Sequence, residues 1–107
     1  MKNNAQIEMY LRLRAIKELS PEWVVWHPPR VKYFIVDIFG IADLVCLHRA
    51  TGTVRFLQIT TLTNRWARRE KMREFFEENH IQFPDGKNPF FLWSFDYGKD
   101  KFAMEGF

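Results

Sequence analysis

The chain has 107 residues, of which 47% are hydrophobic and 17% are aromatic. This apolar content excludes a disordered chain, and the length suits one domain with one core, so we interpret residues 1–107 as a single domain. The formal net charge of +3 permits a polyanionic partner such as nucleic acid, but it equally fits an ordinary soluble protein.

Three features of the sequence bear on the cellular compartment. Its single cysteine, Cys46, excludes an internal disulfide and fits a reducing compartment. Residues 1–6 are polar and lack the apolar core of a signal peptide. No apolar run approaches the roughly 20 residues that span a bilayer. The sequence therefore predicts a cytoplasmic protein with no membrane partner.

The first element in the chain is predicted to be a helix over residues 4–19. Apolar side chains recur every four positions at Ile7, Leu11 and Ala15, which places them on one face of a helix. Pro21 ends the element, because proline disfavours helical geometry at the residue before it. The other apolar positions expected to widen this stripe are Tyr10, Leu13 and Ile16.

Extended segments follow the helix. Residues 23–27 form a short β-prone run, and residues 31–38 are extended and aromatic. Residues 41–48 are nearly all apolar, which predicts a central strand buried on both faces. A tight turn at residues 50–53 leads into a returning strand at residues 54–61, so the two strands form a hairpin.

The second half of the chain predicts one more helix and one more strand. The helix begins at Thr63 or Asn64 and ends at Asn79. Residues 84–86 (Pro-Asp-Gly) make a turn, and residues 90–95 form a buried strand. The side chains expected to face inward from the helix are Met72, Phe75 and Phe76.

The tail from Tyr97 onward is charged and is expected to be frayed, although Phe102 and Phe107 could dock on the core. Without the tail, the order of elements is helix, three strands, helix and strand. This order classes the fold as α/β.

The predicted hairpin brings three polar side chains together. Asp43 lies near the start of one strand, while Gln58 and Thr60 are two positions apart on the other and share a face. An Asp on one strand beside Glu-x-Lys on the next is the arrangement of metal-dependent nucleases. There the carboxylates bind a divalent ion and the lysine assists the attacking water.

The residues around this hairpin carry a family resemblance. The run FGIADLV at residues 39–45, followed by a Thr-Gly turn and FLQIT at residues 56–60, resembles the PD-(D/E)XK nucleases and their Holliday-junction-resolvase-like members. Ala42-Asp43 stands at the Pro-Asp position, and residues 58–60 stand at Glu-x-Lys. The likeness covers residues 5–80. It implies a restriction-endonuclease-like αβββαβ core, with a mixed central sheet flanked by helices.

The resemblance also implies a function. It implies a metal-dependent DNA endonuclease in which Asp43 and Gln58 would ligate Mg²⁺ or Mn²⁺ and DNA would be the partner. The departures put catalysis in question, because Gln58 is neutral and Thr60 cannot supply the lysine charge. Asp37 could add a carboxylate, and so could Glu8 on the first helix. The catalytic candidates are therefore Asp43, Gln58, Thr60, Glu8 and Asp37.

Each of these residues also has an ordinary structural interpretation. Asp43 could be an aspartate at the end of a strand, and Gln58 could be a core amide with satisfied hydrogen bonds. Thr60 fits an ordinary β-branched strand residue. Glu8 fits a solvated helix residue, and a shift of one turn would bring Arg12 to the site in its place.

The second helix has an inverted charge pattern. Its basic residues lie in the first half and its acidic residues in the second, although the helix dipole favours the reverse. Phosphate binding at the amino end would explain the inversion, and Trp66 could stack on a base. A solvated face with ion pairs along the helix explains it equally well. The candidate nucleic-acid-binding residues are Arg65, Arg68, Arg69 and Lys71.

Three functional hypotheses follow. The chain is a small metal-dependent nuclease, a non-catalytic nucleic-acid-binding domain on the same fold, or a protein-interaction subunit that keeps only the fold. Loss of both the Glu and the Lys favours the second and third, while the basic helix end favours the first and second. The small size makes a homodimer plausible.

Overall fold

The computed structural model describes residues 4–31, 34–35 and 37–107. These residues form two α-helices, seven strands and one short 3₁₀ turn. In chain order the elements are α1 (Asn4–Leu19), β1 (Trp23–Trp26), β2 (Arg30–Val31), β3 (Phe34–Ile35), β4 (Leu44–His48), β5 (Val54–Thr61), α2 (Arg65–Glu78), the 3₁₀ turn (Pro84–Gly86), β6 (Phe90–Asp96) and β7 (Lys101–Gly106).

Five of the strands form one mixed sheet in the order β1-β4-β5-β6-β7. Strands β1, β4 and β5 pair antiparallel. Strand β6 then runs parallel to β5, which is possible because α2 carries the chain back between them. Strand β7 pairs antiparallel with β6 at the sheet edge. Strands β2 and β3 form a separate two-stranded ribbon.

The two helices cover opposite faces of this sheet. Leu11 and Ala15 of α1 pack in one buried cluster with Leu57 of β5. Met72 of α2 packs in a second cluster with Leu92 of β6. Because side chains alternate along a strand, β5 presents odd-numbered residues to α1 and even-numbered residues to α2.

Several predicted elements are confirmed. Helix α1 spans the predicted residues, and α2 begins and ends within one or two residues of its predicted bounds. The β4–β5 hairpin pairs as expected. Met72 is buried, and Phe75 and Phe76 pack beside it. Of the predicted extended segment at residues 31–38, residues 32, 33 and 36 lie outside the described residues.

The prediction of a frayed tail is wrong. Residues 101–106 form β7, and Phe102 is buried against the α1 face of the sheet. The turn before β7 is held to α1, because Arg14 donates to the Asp100 carboxylate at 2.6 Å and to its carbonyl oxygen at 2.7 Å. Strand pairing and one large ring therefore order a segment that its charge suggested was loose.

Two burial predictions need correction. The central strand begins at Leu44 rather than at residue 41, and it is not buried on both faces, since Leu47 is 45% exposed. Helix α2 covers β5 and β6, so the side of β4 that carries Leu47 is left uncovered. In α1, Tyr10 and Leu13 are exposed instead of widening the buried stripe.

Two further properties concern the membrane and the thiol. Within the described ranges, neither helix is long and apolar enough to cross a bilayer. The Cys46 side chain is fully buried. Burial raises the pKa of its thiol to about 11, which fits a core residue rather than a nucleophile.

Candidate functional site

A tight turn sets two carboxylates side by side. Ile38 and Ala42 pair as an isolated antiparallel bridge, with the Ile38 N–H donating to the Ala42 carbonyl oxygen at 2.7 Å. The turn between them needs positive φ, which Gly40 adopts at 74°. Asp37 and Asp43 flank the bridge, so the sequence separation of six residues becomes direct adjacency.

Asp43 is buried, with 7% of its surface exposed, and the protein surrounds its carboxylate with donors. The backbone N–H of Ile59 donates to Oδ2 at 2.7 Å, and Nε2 of Gln58 donates to the same oxygen at 2.9 Å. A guanidinium nitrogen of Arg12 lies 3.5 Å from Oδ1. Asp43 thus ties the start of β4 to both β5 and α1.

Asp37 and Asp43 lie close enough for the charge of one carboxyl group to act on the other. Burial raises the pKa of the Asp43 carboxyl to about 6, although the Ile59 N–H opposes this effect. The neighbouring Asp37 carboxylate raises the pKa of Asp43 further, while Arg12 lowers it. Two of the predicted catalytic residues are therefore brought together in a site that favours a bound proton.

The donor set around Asp43 does not fit a divalent metal ion as it stands. Magnesium requires oxygen ligands in near-octahedral geometry, yet N–H groups of Ile59, Gln58 and Arg12 occupy the surroundings of this carboxylate. Among the residues that the structure describes, no cluster of three or more His, Cys, Asp or Glu side chains could hold a metal ion.

Helix α1 presents Arg12, rather than Glu8, to Asp43. Arg12 is buried, and its Nε has no hydrogen-bond partner. Glu8 lies one turn earlier, largely exposed, with its carboxylate 4.0 Å from a guanidinium nitrogen of Arg68. The rotation of α1 therefore places a cation where the family resemblance implied a carboxylate.

Two predicted site residues of β5, Gln58 and Thr60, face α2 but have different surroundings. Gln58 donates to Asp43 and, at 3.3 Å, to the carbonyl oxygen of Ile59. Thr60 is buried, and its hydroxyl makes no hydrogen bond with any described residue. Ser94 lies beside it in register on β6, and the buried Ser94 Oγ also lacks a partner.

The four predicted nucleic-acid-binding residues differ in whether an acidic side chain of the protein pairs with them. Arg69 is held by Glu105 on β7 in a bidentate pair, with distances of 2.9 and 2.7 Å. Arg68 faces Glu8 loosely. Arg65 and Lys71 form no ion pair within the described part of the chain. The basic end of α2 therefore keeps two cations without a partner among the described residues, and a third that is weakly held.

Trp66 adds a large exposed ring to this end of α2, with 66% of its surface accessible. No acidic residue lies in the first turn, and the Asn64 side chain does not cap it. The first amides of the helix therefore lack the usual side-chain acceptor.

A pocket of about 290 Å³ opens beside the first turn of α2, between α1 and the end of β5. Its polar lining comes from all three elements and includes both signs of charge. The lining residues are Ile7, Glu8, Leu11, Ile59, Thr60, Thr61, Asn64 and Arg68.

Comparisons with protein-family models, with curated proteins and with solved structures find no match to this chain. The resemblance to PD-(D/E)XK nucleases therefore rests on the residues and on the order of the elements.

Sequence reasoning missed the contacts that define the surroundings of Asp43. Arg12 was considered only as the outcome of a shifted register. The Ile59 donor is a backbone N–H and leaves no mark in a residue pattern. A basic residue within an otherwise apolar helix stripe, as at Arg12, was the signal that could have identified a buried ion pair.

Proposed function

We propose that this chain is a nucleic-acid-binding domain that holds DNA at the amino end of α2 and has lost cleavage activity. The proposal is based on a contrast between the Asp43 carboxylate, which the protein already pairs, and two cations of α2, which no described residue pairs. The protein's own donors engage the Asp43 carboxylate, while Arg65 and Lys71 have no acidic partner among the described residues.

The chemistry of this helix end supports phosphate binding. Cationic side chains and unpaired helix amides are the groups that contact the backbone of nucleic acids. The exposed Trp66 ring lies next to Arg65, where it can stack on an unpaired base. Basic groups with one adjacent ring are typical of surfaces that bind single strands or the ends of duplexes.

The order of the elements supports the finer fold assignment. Strands β1, β4 and β5 follow α1 as an antiparallel set, and β6 follows α2 parallel to β5. This order supports the αβββαβ core that the resemblance implies, with β7 as an additional edge strand. Asp43, the residue before β4, lies beside Gln58 of β5 and accepts its amide hydrogen bond, which is compatible with the family motif.

A metal-dependent nuclease is the second candidate, and one observation favours it. Asp37 and Asp43 form a carboxylate pair, and the pKa of Asp43 is raised to about 6, as is common at functional sites. For this pair to bind Mg²⁺ or Mn²⁺, Gln58 and Arg12 would have to turn away from Asp43.

The test is a salt-dependent binding assay with single-stranded, linear duplex and four-way-junction DNA. The double variant Arg65→Gln/Lys71→Gln should weaken binding at least tenfold and should reduce the salt slope by about 2. The matched control is Lys99→Gln/Lys101→Gln, which removes the same charge from the exposed β6–β7 turn. Equal losses in both variants would contradict a binding surface on α2.

The same samples, incubated with Mg²⁺ or Mn²⁺, separate the two candidates. We expect binding without cleavage. Metal-dependent cleavage that disappears in Asp43→Asn would replace the first proposal with the nuclease. Sedimentation of the free and bound protein shows whether a homodimer, proposed from the small size, forms.

A further inference from the structure

The pocket beside α2 contains a hydroxyl with no partner among the described residues. Thr60 is 6% exposed and lines the pocket, and its Oγ1 makes no hydrogen bond with any residue that the structure describes. Unlike Ser94 Oγ, the Thr60 hydroxyl keeps some access to solvent, so water or a ligand that enters the pocket can hydrogen-bond to it. This hydroxyl is therefore a donor available to a ligand in the pocket.

Neighbouring groups offer further donors toward the same space. The Asn64 side chain lines the pocket and is not used as a helix cap. The first turn of α2 contributes the backbone N–H groups of Trp66 and Ala67, which have no intrahelical acceptor, whereas the Arg65 N–H already donates to the Leu62 carbonyl oxygen at 3.3 Å. Thr61 is already engaged, since its Oγ1 accepts from the Asn64 N–H at 3.3 Å. These donors favour an anion of compact shape.

The ion pair that lines the pocket, between Arg68 and Glu8, is weak. The guanidinium of Arg68 and the carboxylate of Glu8 are 4.0 Å apart, with 32% and 57% of their side chains exposed. An exposed pair at this distance contributes little stability. A ligand with greater negative charge can therefore displace Glu8 without a large cost to the fold.

The apolar walls restrict what can enter. Ile7 and Leu11 of α1 and Ile59 of β5 supply the apolar part of the lining. A volume of about 290 Å³ accommodates a phosphate and part of its sugar, but not a duplex passing through. A terminal monoester also carries more charge at neutral pH than an internal diester, because its second pKa is about 6.

We propose that this pocket binds the terminal phosphate of a nucleic-acid strand through Thr60, Arg68 and the first amides of α2, and that Glu8 competes for the same place. The inference rests on the proposed function for the identity of its ligand. It adds that the domain distinguishes a phosphorylated strand end from a hydroxyl end. Glu8 then acts as an internal competitor that lowers affinity.

Two titrations test the proposal: inorganic phosphate followed by amide ¹H–¹⁵N spectra, and paired oligonucleotides with a 5′-phosphate or a 5′-hydroxyl. A further pair with 3′-phosphate or 3′-hydroxyl identifies which end is preferred. Phosphate should shift the amides of residues 60–68 first. The phosphorylated strand should bind more tightly than its hydroxyl partner.

Three variants carry predicted signs. Glu8→Gln should tighten phosphate binding about two- to fivefold, because it removes the competitor. Arg68→Gln should weaken binding about tenfold or more, and Thr60→Val about fivefold. Glu18→Gln and Arg73→Gln make the same charge changes on exposed faces of α1 and α2 and should leave phosphate affinity within about twofold.

The outcomes separate this inference from the proposed function. If Glu8→Gln leaves phosphate binding unchanged or weaker, or if no end phosphate is preferred while Arg65 and Lys71 still govern DNA affinity, the pocket inference is overturned alone. If inorganic phosphate shifts the pocket amides but no oligonucleotide binds, the pocket stands as an anion site and the nucleic-acid function is overturned.

Discussion

The surroundings of Asp43 and the pocket beside α2 lie within two residues of each other on β5, yet they treat polar groups in opposite ways. At Asp43, the N–H of Ile59, the amide of Gln58 and the guanidinium of Arg12 converge on one carboxylate. In the pocket, the Thr60 hydroxyl lacks a described partner, and Glu8 only approaches Arg68.

The difference shows how one strand can serve both stability and binding. A buried charge whose donors come from α1 and β5 stabilises the packing of these elements, and removing it leaves several groups unpaired. A hydroxyl that faces the pocket without a protein partner adds little to stability but keeps a donor free for a ligand. The predictions below therefore distinguish structural polar groups from ligand-binding ones.

The largest effect is expected from Asp43→Ala. The substitution leaves Arg12 buried without a counter-charge and removes the acceptor of Ile59 and Gln58, so the free energy of unfolding should fall by about 3–5 kcal/mol. Urea unfolding at pH 7 measures it, with Glu74→Ala on the exposed side of α2 as the control. A loss no greater than that of the control would show that Asp43 is not structural.

The second effect is a dependence of stability on pH. The raised pKa of Asp43, about 6, means that the folded state binds the proton more tightly than the unfolded state. Stability from this group should therefore be present at pH 4 and lost as the pH rises to about 6, by roughly 3 kcal/mol.

The difference in unfolding free energy between wild type and Asp43→Asn isolates this titration, because asparagine does not ionise. Wild type should lose stability relative to the variant across this pH range and should then level off. A relative gain with rising pH would mean that Arg12 and Ile59 lower the pKa of Asp43 more than burial raises it.

The third effect concerns Arg69, whose guanidinium is paired with a carboxylate, as the guanidinium of Arg12 is. Glu105→Gln should lower the free energy of unfolding by about 1 kcal/mol, because it breaks a partly buried bidentate pair. It should also tighten DNA binding, since Arg69 is released beside the proposed surface. Glu70→Gln, which breaks the exposed contact with Arg73, should change stability by about 0.5 kcal/mol or less. Weaker DNA binding by Glu105→Gln would place the surface elsewhere.

The smallest effect is expected at the unpaired hydroxyls. Ser94→Ala should leave stability unchanged or raise it by up to about 1 kcal/mol, because Ser94 Oγ is buried without a partner. Thr60→Val should stabilise less, since the Thr60 side chain lines the pocket, where water can reach its hydroxyl. Thermal unfolding of both variants makes the comparison. A clear loss of stability in Ser94→Ala would indicate that a bound water satisfies its hydroxyl.

The parts of the fold that follow from local patterns could be predicted from the sequence. The four-residue spacing in α1 and the Thr-Gly turn of the hairpin are such patterns. Strand β7 could not, because its pairing with β6 is a long-range effect that overrides a charged composition.

The proximity of several predicted polar residues could be inferred from the sequence, but their orientation could not. Asp37, Asp43 and Gln58 do meet. Whether α1 presents Glu8 or Arg12 depends on a rotation of one turn, and a periodic pattern does not determine rotation to that accuracy. The donors that engage Asp43 are identified only from the three-dimensional structure. The same donors make the carboxylate a poor metal ligand.

The buried thiol of Cys46 has a consequence for kinetics. It lies on β4 between β1 and β5, has no exposed surface, and has a pKa of about 11. A thiol reagent can therefore modify it only when these strands separate. Its labelling rate therefore measures how often the sheet opens at β4, the strand that begins beside Asp43.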